Sequence, residues 1–284
     1  MRTEKEMLDL ILSVAEADER IRAVVMVGSR VNPDAPKDEY QDYDIGYHVN
    51  DVTPFYNNFD WIEKHFGKPA IMQLPEDMSP ELFPPISDGH FTALMIFDDG
   101  VRIDLSVNDE MYECDGEPAE VLLDKDNAIT LNVDEKFFHI KKPAEKLFRD
   151  CCNEFWWCLN NVGKGIARDE LPYAMNMYNT IVRDMLHKML EWHIGINTGF
   201  SVSAGKNGKY FKRYLPPEIY ERYAATYSDS DYWSFWNAVF VACDLFSDIA
   251  LQVADYLCTT YNQDEENGMR KYLTEIKQST ERGS

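Results

Sequence analysis

The sequence predicts an α+β fold, with a mixed β-sheet and flanking helices in the N-terminal half and a helical bundle in the C-terminal half. Three observations carry this. Short β-type runs alternate with helical segments up to about residue 140, and long periodic segments rich in Trp, Tyr, Leu and Met take over from Lys141. A chain of 284 residues with 45% hydrophobic residues also has the length for about two domains, placed at 1–140 and 141–284.

The elements follow in order. Met7, Leu8, Ile11, Leu12 and Ala15 recur at helical spacing, and IRAVVMV from Ile21 reads as a buried strand. YDIGYHV is the next strand. Pro54 suits a first helical turn, and Phe55, Phe59, Ile62 and Phe66 continue one helix that Gly67 ends. PAIMQL is a short strand, and FTALMIF and VRIDLSV flank Asp98, Asp99 and Gly100, a link suited to an antiparallel hairpin; this makes five strands. Helices are then expected at about 144–162, 170–193, 216–226 and 231–262, with Pro172 and Pro217 near starts and Gly195 near an end. The halves show no repeat and no Gly-, Ser- or Pro-rich linker, so they are expected to share an interface with a ligand cleft between them.

Charge narrows the partners. Lys and Arg number 28 against 50 Asp and Glu, a net charge of -22 whose field disfavours nucleic acid and anionic membranes and attracts cations. The N-terminal MRTEKEMLDL has no signal-peptide core, and even AVFVACDLF is broken by Asp244, so a cytoplasmic location is expected. Cys114, Cys151, Cys152, Cys158, Cys243 and Cys258 form no C-x-x-C pair and read as thiols.

The strongest chemical signal is VVMVGSRVNPDAPKDEYQDYDIGYHV, where a strand ends in Gly28 and Ser29 and a D-x-D pair follows. On a strand Asp42 and Asp44 share one face while Tyr43 and Ile45 take the other. Side by side, the two carboxylates raise one another's pKa unless a cation compensates, and hard oxygen donors of this kind suit Mg²⁺. In VRIDLSV the same alternation puts Arg102, Asp104 and Ser106 on one face, so Asp104 joins the pair if the two strands are neighbours. The competing reading is a solvated strand end and a surface ion pair between Arg102 and Asp104.

Other motifs fail on inspection. The G-x-G at Gly163 and Gly165 meets Arg168 where a third glycine belongs, the Gly199 to Lys206 stretch has the wrong spacing for a P-loop, and no G-x-S-x-G occurs. A basic cluster, Lys206, Lys209, Lys212 and Arg213, reads either as a phosphate-holding loop or as a solvated one. Trp156, Trp157, Trp192, Trp233 and Trp236 read chiefly as core, with stacking on a ligand as the alternative.

The GS element, the D-x-D and the later strand aspartate together resemble the nucleotidyltransferase superfamily that includes DNA polymerase β. The wider run of GSRVNPD, YQDYDIGYHV, VRIDLSV, FWWCLNNVGKGIARDELPYAM and GKYFKRYLP resembles the aminoglycoside 6-adenylyltransferases, the streptomycin-modifying resistance enzymes, over nearly the whole chain. The resemblance implies that Gly28, Ser29 and Arg30 bind nucleotide phosphates, that Asp42, Asp44 and Asp104 hold Mg²⁺, and that Asp104 helps deprotonate the acceptor. It implies ATP and a cationic aminoglycoside as substrates, with AMP passing to the 6-hydroxyl of streptomycin. Lys206 and Lys209 are then candidate cofactor-binding cations, and Asp150, Glu154, Asp169, Glu170 and Asp184 candidate drug-binding acids. Two alternatives stand beside this: a metal-dependent glycosyltransferase, against which the GS element and Asp104 count, and a degenerate nucleotide or antibiotic sensor without turnover.

Overall fold

The computed structural model describes residues 2–83 and 89–283. The chain divides into two units, Met1–Phe137 and Phe138–Ser284. In the first, helix α1 (Glu4–Ala17) opens with a capping box in which Thr3 and Glu6 satisfy one another's backbone donors. It leads into β1 (Ile21–Val27), a 3-10 turn at Gly28–Arg30 and β2 (Tyr43–Val49). The expected single helix after Pro54 is two, α2 (Thr53–Tyr56) and α3 (Asp60–Phe66). Asn58 Oδ1 accepts from the Asp60 amide at 2.7 Å, a local turn that competes with a continuous helix. Then come β3 (Pro69–Gln73), β4 (His90–Phe97) and β5 (Arg102–Asn108), the last two forming the expected hairpin.

Among the described residues the sheet holds six strands rather than five, in the order β3-β4-β5-β2-β1-β6, where β6 is Glu120–Asp124. EVLLD has no period-2 alternation to announce it, and it pairs with β1 only through a register shift between Val24 and Val25. The sheet is mixed, because β2 and β5 run parallel while the other neighbours are antiparallel. Alternation sorts the faces. Tyr43, Ile45 and Tyr47 of β2, with Ile103, Leu105 and Val107 of β5, join the core with Met7 and Ile11 of α1 and Ile62 and Phe66 of α3. Asp44, His48, Asp104 and Ser106 take the opposite face, and the Tyr47 hydroxyl donates to the Ile11 carbonyl at 2.7 Å to pin α1 across the sheet.

The second unit is helical: α4 (Glu145–Ala167), α5 (Leu171–Met177), α6 (Arg183–Thr198), α7 (Phe211–Tyr214), α8 (Pro217–Ala224), α9 (Tyr232–Leu257) and α10 (Gln263–Gly283). The expected 170–193 helix is interrupted by a π-helical turn at Tyr178–Val182. The expected 231–262 helix stops at Leu257, where Cys258 takes a left-handed conformation, and α10 was not expected. Its sequence is mostly polar and only a narrow strip, Met269, Leu273 and Ile276, meets the core. Gly163 and Gly165 lie inside α4 because neighbours press close: a Cβ on Gly163 would stand 2.9 Å from Leu273 of α10, and one on Gly165 2.9 Å from Ala174 of α5.

Phe155 of α4 stacks on Phe246 of α9 with ring centroids 3.7 Å apart, at the centre of this core. By length and composition α9 is apolar enough to cross a membrane, with mean hydropathy 1.4, but Phe235, Val239, Phe246 and Val253 are buried against the other helices. Trp156, Trp192 and Trp236 are core residues, whereas Trp157 and Trp233 are exposed. All six cysteines are free thiols, and burial pushes Cys151 and Cys243 up to about 12 and Cys158 up to about 11.

Candidate active site

The site grows from the parallel ladder between β2 and β5. Their register sets Asp44 opposite Asp104. Both side chains leave the same face of the sheet, so two carboxylates face each other one strand spacing apart, about 4.8 Å between backbones. Asp42, one residue before β2, lies on that face too. Burial pushes the Asp44 carboxyl up to about 6, and the charges of Asp104 and Asp42 add to the rise. Asp42 is raised as well, by burial first and against the pull of Arg102.

Arg102 is the charge that answers these acids. Its Nε and Nη2 donate to the two oxygens of Asp104 at 2.8 and 2.7 Å, and its Nη1 lies 3.4 Å from Asp42 Oδ2. Among the described residues no three His, Cys, Asp or Glu side chains converge closely enough to ligate an ion; a guanidinium stands among the carboxylates instead. The donor set still suits a hard dication, because carboxylates of three residues share one face and two of them, Asp104 and Asp42, already hold a guanidinium there.

Gly28 has no substitute at this place. Its φ is +77°, and a Cβ would strike the Asp44 carboxylate, standing 2.8 Å from Asp44 Cγ. The chain thus turns off β1 hard against Asp44, with Ser29 next in the 3-10 turn. Gln41, which sequence reasoning passed over, donates from Nε2 to the Ser29 carbonyl at 2.8 Å and fixes the turn. No residue pattern marks such a contact between a loop side chain and a backbone oxygen.

Arg30, expected beside a phosphate, is engaged by the chain itself. It donates to the carbonyls of Asp42 at 3.0 Å and Gln41 at 2.8 Å, and its guanidinium carbon lies 3.7 Å from the Tyr43 ring centroid. The structure therefore gives it the holding of the loop that delivers Asp42. Beside this loop lies a pocket of about 400 Å³ lined by residues including Arg30, Tyr40, Asp42, Ile96 and Arg102. Glu117 was also missed; its carboxyl is raised by burial, and its charge adds to the rise at Asp44.

Lys206 and Lys209 lie in the second unit, at a 3-10 turn, Lys206–Gly208. Lys209 lies over the Tyr210 ring at 5.2 Å and Arg213 over Tyr214 at 5.0 Å. Of the acids considered for a cationic ligand, Asp150 and Asp184 each pair with a lysine one helical turn away, Lys146 and Lys188. Asp169 accepts from the Tyr232 hydroxyl at 2.9 Å, and Glu154 from the Cys158 thiol at 3.3 Å.

Comparison with known proteins places the chain in a family. The family described as streptomycin adenylyltransferase matches residues 1–276. An aminoglycoside 6-adenylyltransferase of Bacillus subtilis is 42% identical over 97% of this chain and 98% of its own, and one of Campylobacter jejuni is 40% identical over 93% of each. One of Staphylococcus aureus is 35% identical over 95% of this chain and 98% of its own. A solved aminoglycoside 6-adenyltransferase structure from Bacillus subtilis aligns over 97% of this chain and 99% of that one, with 39% identity and a TM-score of 0.48.

Proposed function

The chain belongs to the streptomycin adenylyltransferase family, and from that premise we propose that it transfers AMP from ATP to the 6-hydroxyl of streptomycin, releasing pyrophosphate and conferring resistance to the drug. The observation that carries this reading is the register of Asp44 opposite Asp104, with the glycine turn packed against Asp44. Such an arrangement suits a nucleotidyl transfer, with acid groups gathered beside a turn whose backbone a phosphate chain could approach.

The residues take separate tasks. Gly28 lets the main chain approach a phosphate where any side chain would intrude, and Ser29 offers its hydroxyl at the same turn. Asp42, Asp44 and Asp104 would hold Mg²⁺, which when bound offsets negative charge on the phosphates. Asp104 accepts the proton of the attacking hydroxyl. As the drug oxygen bonds to the α-phosphorus, the bond from that phosphorus to the bridging oxygen breaks and pyrophosphate leaves. Arg30 and Gln41 keep the loop in place throughout. The acidic surplus of the chain favours approach of a polycationic drug.

The test is pyrophosphate release from ATP and Mg²⁺ with streptomycin, alongside gentamicin, kanamycin and spectinomycin, followed by mass spectrometry of each drug. Streptomycin heavier by one AMP moiety is the expected product. ATP binding without a modified drug would remove the transferase reading and leave that of a sensor.

A further inference from the structure

We propose that Arg102 is a built-in counter-ion that keeps Asp104 and Asp42 assembled until a divalent cation displaces it; the inference rests on the metal-dependent reading above. All three nitrogens of its guanidinium are directed at these two acids, Nε and Nη2 at 2.8 and 2.7 Å from Asp104 and Nη1 at 3.4 Å from Asp42. A hard dication on the same face needs the same oxygens. Loading the site is therefore an exchange of one cation for another.

Two observations make Arg102 displaceable. Its side chain is 42% exposed, and ion pairs at that exposure are weak. It also lines the 400 Å³ pocket, whose wall includes Glu4, Asp38 and Glu39, so a released guanidinium has room to turn and carboxylates to meet. Arg30 is the contrast. At 11% exposure, bonded to two backbone carbonyls and stacked on Tyr43, it has no comparable freedom.

The exchange has a use. Without a counter-ion three carboxylates on one face repel and spread, and with one they stay in register at the expense of affinity for free metal. Metal then loads most favourably with the nucleotide, whose phosphates supply the additional ligands and a new anionic neighbour for the arginine.

The experiment measures Mn²⁺ binding by calorimetry and electron paramagnetic resonance, without and with ATP, for the full chain, Arg102→Met and Arg102→Lys, with thermal melts in EDTA. Without nucleotide, Arg102→Met should bind Mn²⁺ roughly tenfold more tightly than the parent, with Arg102→Lys between them. In EDTA the Met variant should melt lower than the parent and recover more when Mn²⁺ is added. Affinity in Arg102→Met equal to or below the parent's would overturn the proposal while leaving the metal site standing. No Mn²⁺ binding by any of the proteins, even with ATP, would overturn both. If the Met variant does not fold, Arg102→Lys decides: wild-type or weaker affinity in it ends the idea.

Discussion

The backbone of Gly28 passes so close to Asp44 that a methyl group on the glycine would occupy the space of the aspartate's carboxylate, 2.8 Å from its Cγ. A turn element and an acid separated by fifteen intervening residues are thereby made one unit, since β1 and β2 pair with Val27 opposite Asp44. Gly28→Ala meets both this clash and a φ of +77°. It should cost about 1–3 kcal/mol of stability and lower kcat/KM by roughly a hundredfold or more, read by urea unfolding and steady-state kinetics.

Asp104 stands on a strand with apolar residues on either side of it in sequence, Ile103 and Leu105, which make the fold's contacts in its place. Asp104→Asn should keep the melting temperature within a few degrees of the parent and lower kcat by roughly 10²–10⁴-fold, the range for loss of a proton acceptor. Near-normal turnover would remove it from the mechanism.

Asp44 gives the metal-free protein a pH dependence of definite sign. Its folded carboxyl is raised from 3.8 to about 6, chiefly by burial, so the fold prefers the protonated form. Stability from this group is full below about pH 4 and declines as pH rises towards 6 and above. In EDTA, Asp44→Asn should melt higher than the parent at pH 8, by roughly 2–4 °C, and the gain should vanish near pH 4.

His187 works in the opposite direction. Burial and the charge of Arg183 lower it from 6.5 to about 4, while its Nε2 shares a hydrogen bond with the Tyr223 hydroxyl at 2.9 Å. The fold holds it neutral. Its contribution is present above about pH 6.5 and is lost as pH falls through 4. His187→Gln should flatten the decline in melting temperature across that interval, in melts scanned from pH 7 to 4.

Lys206 and Lys209 are tested through the nucleotide. If they offset phosphate charge, Lys206→Ala and Lys209→Ala should each raise KM for ATP by roughly three- to tenfold at unchanged melting temperature. An unchanged KM in both would return the GKNGKYFKR cluster to the reading of a solvated loop.

Much of this was legible in the chain. Alternation placed Asp42 and Asp44 on one face of a strand and Asp104 with Arg102 on one face of another, because side-chain direction along a strand is local. Helical spacing found most of α4, α8 and all of α9, overrunning its end, for the same reason. The misses are elements whose cause is distant: β6 has no alternation and is held by pairing with β1, and α10 is polar but for a strip that meets the core. What the amino-acid sequence determined alone was which residues share a face and which family the motifs resemble. The tertiary structure decided that β2 and β5 run side by side in parallel, bringing Asp44 opposite Asp104, Gly28 against Asp44, and Arg102 across to Asp42. Strand pairing joins residues some sixty positions apart through backbone hydrogen bonds that every residue type offers alike, so the partner is chosen by the packing of the whole sheet rather than by the side chains that the pairing brings together.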